Sequence, residues 1–542
     1  MGRESPYLLT FLEKLHCLRC PLIQTVLSFA RFTTAFVLSL ILFSTIATIS
    51  QAADDAKRPD RNVIFFITDD ESPTLGCYGD KVAVTPTIDA LAKDGTLFRN
   101  AFATTASCSA SRSVVLTGLH NHMNGQYGHT HHFHKFSSYH DVVSLALPRL
   151  MAQAGYRTGL CGKYHVAPEA VFHFEKTIPG NTRSPVEMAN NCKDFITADS
   201  DKPFFLYFAT SDPHRGGGVD KTSPLELKPD LFGNKPNKKA YPGIEEVFYD
   251  PAEVPIPEFL SDTPDTRAEL SQYYQAVSRI DQGLKRLVDI LKENGLYDKT
   301  MIIFTADHGM AFSGGKTTVY EGGLRVPFVV RNPYEKKRGV ETDAMISHVD
   351  ITPSILDFAG GLDREAQRPK HPINANAFWK ERGEALQENR NGGNKFDQYH
   401  GKSWIPLLGD PEATTHDSIF ASHTFHEIQM YYPMRVYRDK HFKLIWNIAH
   451  KLDYPFASDL WAASSWQAQY QKGEDAPYGN KTVGEYIHRP EFEFFNIETD
   501  PEETLNLAND PAYAEKLEEY KAKLKAKQKE LDDPWIMKWS YQ

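Results

Sequence analysis

Three short apolar runs constrain this chain more than any other feature. Residues 61–68 (Arg-Asn-Val-Ile-Phe-Phe-Ile-Thr), 203–210 and 301–306 each suit a parallel strand buried on both faces. Each stops at polar residues: Asp69-Asp70, Ser211-Asp212-Pro213-His214 and Asp307-His308-Gly309. Helical patterns lie between and around them: near 86–94, from Cys108 onward, over 142–154 before Gly155, and over 265–294 before Gly295. This alternation predicts an α/β fold with a large, mostly parallel central sheet flanked by helices. In such sheets ligands bind beyond the carboxyl ends of the strands, which is where these acidic and histidine residues fall.

At 542 residues the chain is long enough for a large core and more than one domain. A formal charge of -10 argues against nucleic acid as a partner. It also means that an anionic substrate must be drawn by a local cationic pocket. Residues 1–52 read as an export signal: Arg19 and Arg31 precede an apolar run over 34–48, with small residues at Ser50, Ala52 and Ala53. The protein is therefore expected to be exported, to a periplasm or the medium. The long stretch before the apolar run leaves an uncleaved membrane anchor open, although that run is short for a full span. Residues 60–410 are expected to form the main domain and 411–542 a smaller subdomain with an antiparallel sheet. Its elements are a hairpin over 434–447 around Asp439-Lys440, a strand over 493–497 and a charged helix over 512–531. The Asn-, Gly- and charge-rich segment 363–402 reads as an exposed insertion, and Lys443 as part of a solvated face. Outside the export signal only Cys77, Cys108, Cys161 and Cys192 remain, too few for a disulfide framework.

Asp69-Asp70 and Asp307-His308 fit a metal role, the acidic residues at strand ends offering hard oxygen ligands for a divalent cation. Taken alone, an Asp-Asp pair after a strand reads first as turn or helix-cap carboxylates. The run Cys108-Ser109-Ala110-Ser111-Arg112 shifts the balance. Arg112 lies one helical turn after Cys108, so both face one side, and a helix N-terminus there favours negative charge. The histidines at 120, 122, 129, 131, 132 and 134 match no regular ligand spacing and read as a pocket-lining loop.

Residues 108–112, with Leu116-Thr117-Gly118 after them, closely resemble the Cys-x-Pro-Ser-Arg signature of the sulfatases, whose cysteine is oxidised to formylglycine. Gly162-Lys163-Tyr164-His165, Asp212-Pro213-His214-Arg215, Arg279-Ile280-Asp281-Gln282-Gly283 and Asp500-Pro501-Glu502-Glu503 extend the likeness over nearly the whole chain. The chain thus resembles a sulfatase of the alkaline-phosphatase superfamily. His426-Glu427 with Tyr432-Pro433-Met434-Arg435 points to the sulfamidase branch. The resemblance implies that Asp69, Asp70, Asp307 and His308 bind one calcium ion together with the formylglycine formed from Cys108. It implies that Arg112 and Lys163 hold the hydrated aldehyde, that Asp307 helps deprotonate the attacking hydroxyl, and that His214 and Lys316 contact the sulfuryl and leaving groups. His165 is implied to take the second hydroxyl's proton, and His426, Glu427 and Arg435 to bind substrate.

The implied substrate is a sulfated glycosaminoglycan or sugar, with N-sulfoglucosamine of heparan sulfate or heparin first. The implied partners are a formylglycine-generating maturation enzyme and, by the branch's habit, a second copy in a homodimer. Three residues depart from the pattern. Ala110 replaces the usual proline, which leaves open the maturation route. His308 stands where the branch has asparagine, and Lys316 where it has arginine. An O-sulfatase, a phosphoesterase of the same superfamily, or a sulfoglycan-binding protein with unconverted Cys108 are the competing readings.

Overall fold

Helices cover the central sheet on both sides, which is why its central strands are buried along their whole length. The computed structural model describes residues 61–131, 134–216, 232–234, 241–383 and 396–540; the expected export segment lies outside them. The main sheet has eight strands: β1 (Asn62–Thr68), β2 (Thr96–Phe102), β3 (Arg157–Gly162), β4 (Lys176–Ile178), β5 (Phe204–Ala209), β6 (Thr300–Ala306), β7 (Phe328–Arg331) and β8 (Val340–Ser347). Their order is β4-β3-β5-β1-β6-β7-β2-β8. Strand β7 runs antiparallel to β6 and β2, and the other pairs are parallel.

Alternate residues enter two separate cores. On one face Val63, Phe65, Ile67 and Tyr207 pack with Val115 and Leu116 of helix α1 (Cys108–Thr117). On the other, Ile64, Phe66, Phe208 and Phe304 pack with Leu270, Ile280 and Leu284 of helix α2 (Pro264–Glu293). Thr263 caps α2, its hydroxyl accepting from the Thr266 amide at 3.1 Å.

A second sheet has four antiparallel strands in sequence order: β9 (Ser418–His423), β10 (Met434–Asp439), β11 (Phe442–Asn447) and β12 (Phe492–Asn496). The hairpin turn lies at Asp439-Lys440, where the Asp439 carboxylate accepts from the amides of His441 and Phe442. Helix α3 (Ala514–Glu530) lays Leu517, Tyr520 and Leu524 on this sheet. Ile419, Met434, Val436 and Ile445 share one core with Phe66 and Phe304, and residues 59–542 form one unit. The expected boundary near 410 is therefore a change of sheet within a continuous core.

Several expectations need correction. The pattern over 142–154 is not one helix: a 3-10 turn (His140–Ser144) is followed by a helix over Leu147–Gln153. Pro148 cannot donate into a preceding turn, so it begins a new helix instead of continuing one. The segment 363–402 is not wholly exposed, because Trp379 is buried and its indole N–H donates to His140 O at 3.1 Å; residues 384–395 lie outside the described set. Lys443 is not on a solvated face: it is buried, with Nζ 3.1 Å from Glu321 and 2.8 Å from Glu503. Cys77, Cys108, Cys161 and Cys192 are free thiols. No helix among the described residues is long and apolar enough to cross a membrane.

Arg435 also departs from expectation. It sits on β10, fully buried, with its guanidinium paired to Asp533 at 2.6 and 3.0 Å and stacked over Trp535 at 4.3 Å. It ties the second sheet to the C-terminal segment and offers no donor to a bound substrate. Breaking a buried pair by removing one partner leaves an uncompensated charge and costs about 3–5 kcal/mol. Asp533→Ala should therefore lower unfolding stability by that order in denaturant titration. An unchanged midpoint would contradict the structural role given to the pair.

Candidate active site

Sheet register brings four strand ends side by side. Ile67 pairs with Ala209, Thr68 with Ala306, and Gly162 with Ala209. Backbone bonds then continue past the strands: Lys163 N to Ala209 O at 2.8 Å, Asp307 N to Thr68 O at 3.1 Å and Asp69 N to Asp212 O at 3.2 Å. The residues just beyond β3, β1, β5 and β6 are thus held in a row. Strand β2 leads toward the same edge and delivers Cys108 as the first residue of α1. Asp70 (φ 63°), His165 (φ 55°) and Thr317 (φ 65°) all occupy the left-handed backbone region, a strained conformation for these residues that tends to mark functional sites.

Arg112 is the centre of the cluster. Fully buried, it donates from Nε to Asp307 Oδ2 at 3.0 Å and from Nη2 to Asp69 Oδ1 at 3.3 Å. Its Nη groups also reach the carbonyls of Lys163 and Thr68, at 3.1 and 3.3 Å. Lys163 Nζ bonds the other oxygen of Asp69 at 2.5 Å. The Asp70 amide donates to Asp307 Oδ1 at 3.0 Å. His308 Nε2 lies 3.1 Å from Asp70 Oδ1 and 3.4 Å from the sulfur of Cys108, and that sulfur lies 3.7 Å from Asp70 Oδ1. Asp69, Asp70, Cys108, Arg112, Asp307 and His308 are all buried.

The second cation, Lys316, stands on the opposite side of Asp70. Its Nζ donates to Asp70 Oδ2 at 3.0 Å and to Asp459 Oδ2 at 2.8 Å, and lies 3.1 Å from His214 Nε2. The loop carrying it is pinned to the lead-in of α1 by Thr317 N donating to Ala106 O at 2.8 Å. His426 joins from the second sheet, its Nδ1 3.0 Å from Ser107 Oγ. Glu427 sits at the rim, half-buried, accepting from Ser458 Oγ at 3.0 Å. His165 follows Lys163 and bonds His131, Nε2 to Nδ1, at 2.7 Å. Of the expected site residues, Arg435 alone is carried away from this region.

Asp459 was not legible in the sequence, since it lies in a short helix (Ser458–Trp461) far from any strand end. Ser107, which holds His426, was equally silent.

Burial and neighbouring charge set the protonation states. Burial raises the Cys108 thiol well above its ordinary value, so the unmodified side chain is a poor nucleophile. Burial and then the Asp69 carboxylate raise Asp307 to about 6, whereas Asp69, despite its own burial, is held well below the carboxylate range by Lys163, His214 and Arg112. Burial and then Lys316 lower His214 to about 4, and burial and then Lys163 hold His165 far below its usual value. Lys316 stays charged because Asp459 and Asp70 outweigh its desolvation. The cluster therefore sets four carboxylates (Asp69, Asp70, Asp307, Asp459) against three cations (Arg112, Lys163, Lys316).

This donor set fits a hard divalent cation. Asp69, Asp70, Cys108 and His214, and separately Cys108, Asp307 and His308, bring ligand atoms within 4.8 Å of one another. The crowding that raises Asp307 is relieved by a cation, and carboxylate oxygens are the ligands calcium prefers. An added double positive charge also turns the local balance positive, which suits an anionic substrate.

The comparisons with known proteins agree with this geometry. The sulfatase family model matches residues 61–361. Human N-sulphoglucosamine sulphohydrolase is 34% identical over 488 residues, covering 88% of this chain and 91% of the relative. A solved structure in complex with its substrate D-glucosamine-2-N,6-O-disulfate shares the fold, with a TM-score of 0.57 at 20% identity, covering 88% of this chain and 99% of that one. A phosphonate monoester hydrolase of Agrobacterium radiobacter is equally similar in fold, with a TM-score of 0.57 at 19% identity, covering 87% and 96%. With the family model covering more than half of its length, and the human relative most of it, the chain belongs to the sulfatase family and is a hydrolase of sulfate esters or sulfamates.

Proposed function

We propose that this protein is an exported, calcium-dependent sulfatase that releases the N-sulfate of glucosamine at the non-reducing end of heparan- or heparin-like chains. The observation that carries the reading is Cys108 at the N-terminus of α1, enclosed by Asp69, Asp70, Asp307 and His308 and backed by Arg112. The human relative's name supports the sulfamate substrate, as does the position of His426, whose Nδ1 lies 3.0 Å from Ser107 Oγ beside Cys108.

In this reading Asp69, Asp70, Asp307, His308 and residue 108 hold calcium, which supplies positive charge for the sulfuryl oxygens. Formylglycine at 108, once hydrated, supplies a hydroxyl nucleophile that a thiol in this setting cannot match. Arg112 and Lys163 orient that group from behind, their own positions locked by Asp69 and Asp307. Asp307, beside residue 108, accepts the attacking hydroxyl's proton. Lys316 and His214 face the sulfuryl and leaving groups. His214 is neutral at pH 7, and a substrate anion placed beside it raises its proton affinity, so protonation of the leaving nitrogen draws on the Lys316–His214 pair. His165, neutral as well, serves as the second base. Asp459 is a positioning residue that fixes Lys316.

A second reading, an O-sulfatase, is favoured by His308 and Lys316, which depart from the sulfamidase branch. Sulfate release from N-sulfoglucosamine is the discriminating assay. Turnover of this sugar is expected, while inertness toward it beside good turnover of an O-sulfated sugar would overturn the substrate assignment. Asp307→Ala should lose both calcium, measured by elemental analysis, and activity; full calcium retention would contradict the ligand set. A hydrogen bond to a charged group contributes about 1.5–3 kcal/mol. Asp459→Asn should thus lower kcat/KM by roughly 10–100-fold with calcium content unchanged. Wild-type kinetics in that variant would remove Asp459 from the account.

A further inference from the structure

The histidine-rich loop contributes two of the three rings of a second cluster, of which the proposed reaction uses only His165. One ring nitrogen from each of His129, His131 and His165 lies within 4.8 Å of the other two. The sequence spacing 129, 131, 165 hides this, because the third residue comes from the loop after β3. His129 is 5% exposed, and neither of its ring nitrogens has a hydrogen-bond partner among the described residues. A buried imidazole with both nitrogens unsatisfied is costly unless something binds it. His165 Nδ1 is unsatisfied in the same way.

The surroundings hold these rings in place. His129 is clamped through its backbone, its amide donating to His426 O at 2.9 Å and its carbonyl accepting from Phe136 N at 3.0 Å. Thr130 N donates to Ser109 Oγ at 3.3 Å, fixing the loop to α1. The two loops are stitched together by Ser138 N to Ala167 O at 2.8 Å. Ring centroids of His129 lie 4.6 Å from His131 and 4.9 Å from His165. His131 and His165 are half-buried, so the cluster is reached from solvent.

We propose that His129, His131 and His165 bind a divalent transition metal of the zinc class beside the active site, and that this ion blocks turnover by occupying His165. Three imidazoles with an open fourth position form a recognised zinc donor set, with Zn–N of about 2.0–2.1 Å. The His131–His165 separation of 2.7 Å must open to roughly 3.3 Å in a tetrahedral shell with those bond lengths, a small side-chain movement. Neutral imidazoles are the ligating form, and burial keeps both His129 and His165 neutral. The chemistry also separates the two sites: carboxylates suit calcium, imidazoles suit zinc. The nearby positive charge of Lys163 opposes the ion, and its pairing with Asp69 offsets that opposition. The blocking effect rests on the role proposed for His165, but binding of the ion does not.

The test uses full-length protein without a histidine tag, kept in saturating calcium, mixed with zinc chloride and freed of unbound ion. Elemental analysis should find one zinc per chain with calcium unchanged, and wild-type turnover should fall as zinc is bound. His129→Leu should weaken zinc binding by about tenfold or more, since even outer-shell changes cost that much. It should also keep turnover in the presence of zinc. His131→Gln should weaken zinc binding similarly, judged by the ion count alone. No retained zinc, zinc gained only as calcium is lost, or equal retention by both variants would overturn the site. Zinc bound at His129 with turnover intact would overturn the blocking effect, and with it the part given to His165.

Discussion

The buried guanidinium of Arg112 is the constraint on which the site depends. It joins helix α1 to the ends of β1, β3 and β6 through Asp69, Asp307 and two strand-end carbonyls. Two carboxylates this close and this deeply buried are unstable without a fixed cation, and a buried arginine is equally unstable without them. Each therefore enforces the other's position. Because Arg112 sits one turn after Cys108, the same contacts aim residue 108 at the row of strand ends. Lys163 and Lys316 repeat the device on either side, each bonded to one of the paired aspartates after β1.

Much of this was legible in the sequence, for a physical reason. A strand buried on both faces must be apolar until the chain leaves the sheet, so the first polar residues after it mark the sheet's edge. Asp69, Asp70, His214, Asp307 and His308 were found that way. The rest depends on contacts between distant segments that leave no local pattern. Asp459 comes from a short helix in the second half of the chain, and it reaches Lys316 only because the two sheets share a core. Arg435 shows the reverse failure. Its neighbourhood in the sequence resembles a substrate-binding stretch, yet alternation along β10 turns the side chain inward to Asp533. Lys443 failed similarly, since charge alone does not reveal a buried pair with Glu321 and Glu503.

The fold by itself does not choose the reaction. A phosphonate monoester hydrolase and a structure bound to a glucosamine disulfate are equally similar to this chain in backbone. Discrimination must come from side chains around the common centre. Several of these, His426, Glu427 and Asp459, arise beyond residue 410, so in the proposed reading the second sheet and its flanking segments shape the pocket while the main sheet supplies the nucleophile and the metal ligands. The histidine loop adds a third contribution, packed between α1 and the loop after β3.

The central claim is that residue 108 acts as formylglycine. Burial raises the thiol of the unmodified Cys108, which suits it poorly as a nucleophile, and the reaction proposed above uses its oxidised form instead. In that reading Ala110, in place of the usual proline, leaves the maturation route open. Peptide mass spectrometry of protein isolated from its native host measures this directly. The account predicts a peptide spanning 108 with the mass deficit of a thiol replaced by an aldehyde, reactive toward a hydrazide probe. Active protein carrying only unmodified cysteine at 108 would contradict it.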